Sequence, residues 1–135
     1  MDSDITPIIL AAGASSRMGR PKALSDFDGK SCLELVLSAC RGLGKPIVVL
    51  GSSREEIESK VDLSGAVRVV NENVDSGQTA SLKIGLRSLP SSAGAFLLFP
   101  CDTPLVTWED VEILLAAFRR ERDKTKGVFI PSYGL

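Results

Sequence analysis

Apolar residues fall into two alternating kinds of segment along this chain. Ile8-Ile9-Leu10, Ile47-Val48-Val49-Leu50, Val67 to Val70, Phe96-Leu97-Leu98-Phe99 and Val128-Phe129-Ile130 are short, continuous and mostly β-branched or aromatic. Unbroken runs of this kind predict strands buried on both faces of a parallel sheet. Between them the spacing becomes helical. Leu33, Val36, Leu37 and Cys40 recur at i, i+3, i+4, i+7, as do Leu82, Gly85, Leu86 and Leu89, and Val111, Leu114, Leu115 and Phe118. Each set gives a helix one face to bury. Ser31 with Glu34, Ser53 with Glu56 and Thr107 with Asp110 place a hydroxyl three residues before an acid, a pairing that satisfies the free amides of a helix start. The resulting order is β-α-β-α-β-α-β-α-β. Strands joined by helices of crossover length imply a right-handed α/β fold, a three-layer α/β/α sandwich around a mostly parallel sheet.

Composition narrows the class. The chain has 135 residues, 44% of them hydrophobic, with 16 Lys and Arg against 17 Asp and Glu. That describes one ordinary globular domain, with residues 1–135 forming a single unit. A net charge of -1 without a basic stripe gives no grip on a nucleic-acid backbone or an anionic membrane, so neither is an expected partner. The polar start Met1-Asp2-Ser3-Asp4 and the lack of any apolar run near ~18 residues point to a cytoplasmic protein. Cys32, Cys40 and Cys101 form no C-x-x-C pair and are odd in number, which suits a reducing compartment. Histidine is absent, and this removes Ser-His-Asp hydrolysis, Cys-His proteolysis and His-based zinc sites together. Of the tempting side chains, Cys40 and Trp108 share the apolar faces of their helices and read as core. Nothing around Cys101 argues for a reactive thiol. The charged stretch at residues 119–126 reads as a solvated helix end and turn.

The segment Leu10-Ala11-Ala12-Gly13-Ala14-Ser15-Ser16-Arg17-Met18-Gly19-Arg20-Pro21-Lys22 follows the first strand directly. Small residues there let the backbone approach a ligand, and successive amides form an anion-binding concavity. Arg17, Arg20 and Lys22 add three positive charges. A nucleoside triphosphate matches that arrangement. Neither a Gly-Lys-Ser/Thr phosphate loop nor Gly-x-Gly-x-x-Gly is present, so two familiar nucleotide loops are excluded.

The motif Leu-Ala-Ala-Gly-x-Ser-x-Arg-Met-Gly-x-x-Lys resembles the signature of MobA-like nucleotidyltransferases, which include the molybdenum cofactor guanylyl- and cytidylyltransferases. Two further segments match in order. Asn71-Glu72-Asn73-Val74-Asp75-Ser76-Gly77-Gln78-Thr79-Ala80-Ser81-Leu82 resembles the family's second nucleotide-contact segment, and Phe99-Pro100-Cys101-Asp102-Thr103-Pro104-Leu105-Val106 its metal-binding Asp-x-Pro turn. The resemblance covers essentially the whole chain and implies a Rossmann-like, GT-A-like nucleotidyltransferase fold. It also implies transfer of a nucleoside monophosphate from an NTP to a phosphorylated small molecule, with Mg²⁺ as cofactor. The chain departs from the family at Cys101, where glycine is usual. The family's Gly-x-x-Gly-His-Pro segment is expected near Tyr133-Gly134, and the chain ends four residues after Pro131. The acceptor-binding C-terminal part is therefore expected to be lacking.

A phosphate acceptor is already anionic and pyrophosphate leaves without a proton, so such a transfer needs alignment and charge neutralisation more than a base. Lys22 is expected to contact the β- and γ-phosphates and Arg17 to brace them, a mobile ammonium complementing a two-pronged guanidinium. Leu10, Ala11, Ala12, Gly13, Ser15, Ser16 and Gly19 form the nucleotide loop. Asp102 follows the fourth strand, where α/β sheets bind ligands. By its residues alone it fits a Mg²⁺ ligand or an Asx-type turn equally, and the resemblance favours the metal. Gln78 and Ser81 stand one turn apart beside Gly77 where a helix begins, with ordinary capping by Ser76 or Thr79 an equal alternative. Asn71, ending the third strand, either contacts the base or shapes the turn. Ala12 occupies a position where, by resemblance, guanylyltransferases carry glycine, so CTP is favoured over GTP. A nucleotide-binding module without turnover is the alternative to an enzyme.

Overall fold

The computed structural model describes residues 3–13, 21–73, 77–121 and 127. In chain order these form β1 (Ile5–Ala11), a short 3-10 turn (Lys22–Leu24), β2 (Asp26–Phe27), β3 (Lys30–Ser31), α1 (Cys32–Ala39), β4 (Ile47–Leu50), α2 (Arg54–Lys60), β5 (Val67–Val70), α3 (Gly77–Arg87), β6 (Ala95–Pro100) and α4 (Trp108–Glu121). Four of the apolar runs are the parallel strands of one sheet, in the order β5-β4-β1-β6. The fifth run, Val128 to Ile130, lies outside the described residues.

The direction of the crossovers decides the layers. From β1 the chain steps through α1 to β4 and through α2 to β5, always toward the same edge. It then returns through α3 to β6 on the far side of β1. A right-handed crossover made in the opposite direction must lay its helix on the opposite face. Accordingly Leu33, Val36, Ile57, Val111 and Leu115 from α1, α2 and α4 pack with Ile5, Ile9, Val48 and Leu50 on one face. On the other face α3 is the one helix among the described residues, and its Leu82 and Leu86, with Leu89 just beyond its end, pack against Ile8, Leu10, Ile47 and Val49. The three-layer α/β/α sandwich is what the periodicity predicts.

Burial of every strand on both faces does not hold. β1 and β4 are buried at every position, but β5 is exposed or half-buried throughout and β6 alternates. On the α3 side of β6, Phe96 and Leu98 remain 40% and 39% exposed among the described residues, because α3 lies over β1, β4 and β5. Gly85 lets that helix sit close: a Cβ there would stand 2.7 Å from Cγ2 of Ile8.

Two of the three expected helix caps form. Ser31 forms the capping box of α1: its hydroxyl accepts from the Glu34 amide at 3.2 Å, and the Glu34 carboxylate accepts from the Ser31 amide at 3.4 Å. At α4 the Thr107 hydroxyl accepts from the Asp110 amide at 3.2 Å and the Asp110 carboxylate accepts from the Thr107 amide at 2.9 Å. The cap expected of Ser53 is not made. Ser53 has φ -93 and ψ 15, a nearly helical conformation that turns its hydroxyl from the amides an extended cap residue would reach. The periodicity also overlooks the two-residue strands β2 and β3, joined by Asp28 and Gly29 at φ 53 and 86. Both positive values suit an Asp-Gly hairpin turn.

Candidate functional site

The carboxyl ends of β1, β5 and β6 open onto one cleft of about 200 Å³. Its lining draws on every sequence-predicted site residue that lies among the described ones. β1 supplies Leu10 and Ala11, and the chain leaving it supplies Ala12 and Gly13. The 3-10 turn contributes Lys22, β5 ends in Asn71, α3 begins with Gly77, Gln78 and Ser81, and the turn after β6 gives Asp102. Ser15, Ser16, Arg17 and Gly19 lie outside the described residues, as does the alternative cap Ser76. Pro21, Ala23, Pro100 and Cys101 also line the cleft and are not among the predicted site residues. Pro21, Ala23 and Cys101 each adjoin a predicted residue in sequence, and Pro100 pairs with Leu10 across the sheet; adjacency is the signal that could have found the first three.

The cleft lies where the crossover direction reverses, between β1 and β6, so strand ends splay and leave a crevice as in other doubly wound sheets. Each polar lining group is positioned by a different device. Lys22 is exposed and opens a turn closed by the Leu24 amide donating to Pro21 O at 3.0 Å and the Ser25 amide to Lys22 O at 3.1 Å. Asn71 and Ser81 are each only 4% exposed. The Asn71 amide nitrogen continues the β4–β5 ladder by donating to Leu50 O at 2.8 Å. Its side-chain Nδ2 donates to Ser81 Oγ at 3.0 Å, while its Oδ1 accepts from the Asn73 amide at 3.0 Å. Asn71 thus both shapes its turn and ties the end of β5 to α3. Gly77 opens α3 at φ 80, a conformation suited to glycine, and the first turn of that helix holds no acid. Gln78 is exposed beside it.

Around Asp102, the Thr103 hydroxyl donates to Pro100 O at 3.2 Å and closes the turn. The Cys32 thiol donates to Cys101 O at 3.0 Å, tying the turn to the start of α1. Asp102 itself is exposed at the cleft. Among the described residues no group of three or more His, Cys, Asp or Glu is arranged to hold a metal ion. One cleft carboxylate suits a divalent ion that takes most of its ligands from phosphates and water. All three cysteines are free and buried. Burial pushes the Cys40 thiol up to about 12. For Cys101, desolvation first and then the neighbouring Cys32 do the same, also to about 12, so neither is a nucleophile near neutral pH. Trp108 is half-buried against the core, with the Arg41 guanidinium 6.0 Å from its ring centre, which is the structural role expected of it.

Fold and cleft together define a doubly wound α/β protein with a ligand crevice at the carboxyl edge of its sheet. The MobA-like NTP transferase domain model matches residues 7–134, and the chain belongs to that family. A probable molybdenum cofactor guanylyltransferase of Bacillus cereus is 30% identical over 118 residues, covering 86% of this chain and 58% of the relative. The chain therefore spans little more than half the length of such curated relatives. Among solved structures, Rv0371c of Mycobacterium tuberculosis superposes with a TM-score of 0.73 at 31% identity, over 91% of this chain and 61% of that one. A second structure of that protein is a complex with manganese, with a TM-score of 0.66 at 28% identity, over 88% of this chain and 58% of that one. A Methanothermobacter nucleotidyl transferase gives 0.68 at 29% identity, over 91% and 58%. Among the described residues, no helix is long and apolar enough to cross a membrane.

Proposed function

We propose that this chain is the nucleotide-binding part of an enzyme that transfers a nucleoside monophosphate from an NTP to a phosphorylated small molecule and releases pyrophosphate. The observation that carries this reading is the convergence of Ala12, Gly13, Lys22, Asn71, Gly77, Gln78, Ser81 and Asp102 on one cleft. The base sits against Ala12 with Gln78 and Ser81 opposite, and the phosphates extend to the open side. Lys22 neutralises the β- and γ-phosphates there, with Arg17 as a second cation. The amides after β1 and the acid-free start of α3 add positive field. A divalent ion held by Asp102, Mg²⁺ in this reading, offsets negative charge on the phosphates; the manganese complex of Rv0371c supports a metal at this fold. No residue need act as a base, because the attacking phosphate is already ionised, and a chain without histidine meets the requirement.

CTP is the proposed substrate, since Ala12 lines the cleft with a methyl group where a glycine would leave room for the larger purine. GTP is the second reading, favoured by relatives named as guanylyltransferases. The proposed acceptor is the molybdopterin cofactor, with sugar phosphates as the alternative class, and the cytoplasm the proposed compartment. The acceptor-binding portion is proposed to belong to sequence that the longer relatives carry. Isothermal titration with CTP, GTP, ATP and UTP, with and without Mg²⁺, tests the nucleotide half of the reading. Selective binding that is Mg²⁺-dependent and weakened at least ~10-fold by Lys22→Ala and by Asp102→Ala, about 1.4 kcal/mol each, is expected. Binding unchanged by both substitutions refutes the assignment of the site.

A further inference from the structure

Gly51, the residue that follows β4, is buried and does not line the cleft. It nevertheless touches the segment that does. The register of β1 against β4 pairs Ala11 with Leu50, so the next residues out are Ala12 and Gly51. A Cβ at position 51 would stand 2.5 Å from the carbonyl oxygen of Ala12, 3.0 Å from its Cα and 3.1 Å from its carbonyl carbon. All three are backbone atoms, so no side-chain rotation could relieve the overlap. Position 51 is fixed from its other side as well: Asn71 N donates to Leu50 O at 2.8 Å, and Arg54 N donates to Gly51 O at 3.1 Å at the start of α2. The backbone of Ala12 therefore rests on a rigid floor whose height is set by the absence of a side chain.

We infer that Gly51 is a positioning residue for nucleotide selection, seating the Ala12–Gly13 backbone at the depth at which the cleft discriminates between bases. The inference rests on the proposed nucleotide reading of the cleft and extends it to a residue outside the lining. Non-bonded carbon contacts favour roughly 3.5 Å or more, so an added methyl must lift Ala12 by on the order of 1 Å. A displacement of that size in a ligand-positioning element costs up to ~100-fold. It would also change the shape of the cleft, and therefore the relative fit of large and small bases.

The test compares the full chain with Gly51→Ala and with Gly44→Ala, using CTP and GTP in Mg²⁺. Gly44 is an apt control, because a Cβ there meets backbone as well, Ser3 O at 2.8 Å and Ile5 O at 3.2 Å, at the start of β1 and so at the opposite end of the sheet from Ala12. Partial unfolding lowers both nucleotide affinities by the same factor, whereas a shifted Ala12 changes their ratio. The expected result is a loss of ~10-fold or more for the preferred nucleotide in Gly51→Ala, with the CTP-to-GTP ratio altered at least ~3-fold; Gly44→Ala keeps the original ratio. An unchanged ratio in Gly51→Ala, or equal changes in both variants, overturns the inference while leaving the nucleotide site standing. Failure of the unsubstituted chain to bind either nucleotide overturns the nucleotide reading and this inference with it. If Gly51→Ala alone does not fold, the double variant Gly51→Ala/Ala12→Gly is compared with Ala12→Gly by the same ratio, since glycine at 12 lets the backbone yield.

Discussion

The hydrogen bond between Asn71 and Ser81 gives the sharpest thermodynamic prediction. It joins two buried side chains across ten residues of chain, with Nδ2 donating to Oγ at 3.0 Å, and so fixes the end of β5 to the first turns of α3. Asn71→Ala removes the donor and leaves the Ser81 hydroxyl, 4% exposed, to find another partner. That costs about 1–3 kcal/mol. It also removes the acceptor of the Asn73 amide, but Asn73 is exposed, water replaces the bond, and the added cost is about 0.5 kcal/mol. Ser81→Ala leaves the Asn71 amide group short of one acceptor in an equally buried setting, again costing about 1–3 kcal/mol.

In the double variant both partners are gone and no polar atom of the pair is left stranded. The two losses should then fall short of additivity by about 1–2 kcal/mol. Urea unfolding followed by the fluorescence of Trp108, the one tryptophan, measures each corner of the cycle. Thermal unfolding should show single-variant losses of about 3–6 °C per kcal/mol for a domain of this size. Additivity to within about 0.3 kcal/mol would refute the reasoning, because it would mean that the two side chains do not depend on each other in the folded protein.

Three further outcomes follow from packing and burial. Cys40 and Cys101 stand at about 12 against an ordinary 9.0, so from about pH 9 to about 12 the folded chain keeps protons that the unfolded chain releases. Stability is full below pH 9 and should fall by roughly 1.4 kcal/mol per pH unit for each thiol; denaturation at stepped pH checks this, and Cys40→Ala should remove one thiol's share of the slope. Gly42→Ala would drive a methyl into the Trp108 ring, with a cost of about 1–3 kcal/mol and a red-shifted emission spectrum. Ser31→Ala removes the hydroxyl that caps α1 and should cost about 1 kcal/mol in the same urea assay.

Four of the five expected strands, the fifth run lying outside the described residues, were legible, as were the helices and the layers, because their signal is periodic and spans several residues at a time. The hairpin Asp26 to Ser31 was not, since two-residue strands carry no period and only Asp28-Gly29 marks their turn. Ser53 shows the limit of a local motif: serine three residues before glutamate has the chemistry of a cap, but the backbone angles of Ser53 are not those of an extended cap residue. Exposure of Phe96 and Leu98 was hidden for a different reason. An apolar run states what a strand would bury, and only the course of α3 across the sheet decides what is covered.

The cleft was legible in its members but not in its geometry. Leu10, Asn71 and Asp102 are far apart in sequence, and nothing in their local patterns brings them together. What does so is one topological event, the return of the chain from β5 at one edge to β6 beyond β1. That reversal places α3 on the opposite face from α1, α2 and α4, brings its first turn to the strand ends and sets the turn holding Asp102 beside the chain leaving β1. A single right-handed winding without reversal would have put all helices on one face and left no crevice between β1 and a neighbour. The same close quarters explain why Gly51 carries no signal in the sequence. Its contribution is a missing methyl at a strand crossing, and a constraint of that kind exists only once Ala12 has been folded against it.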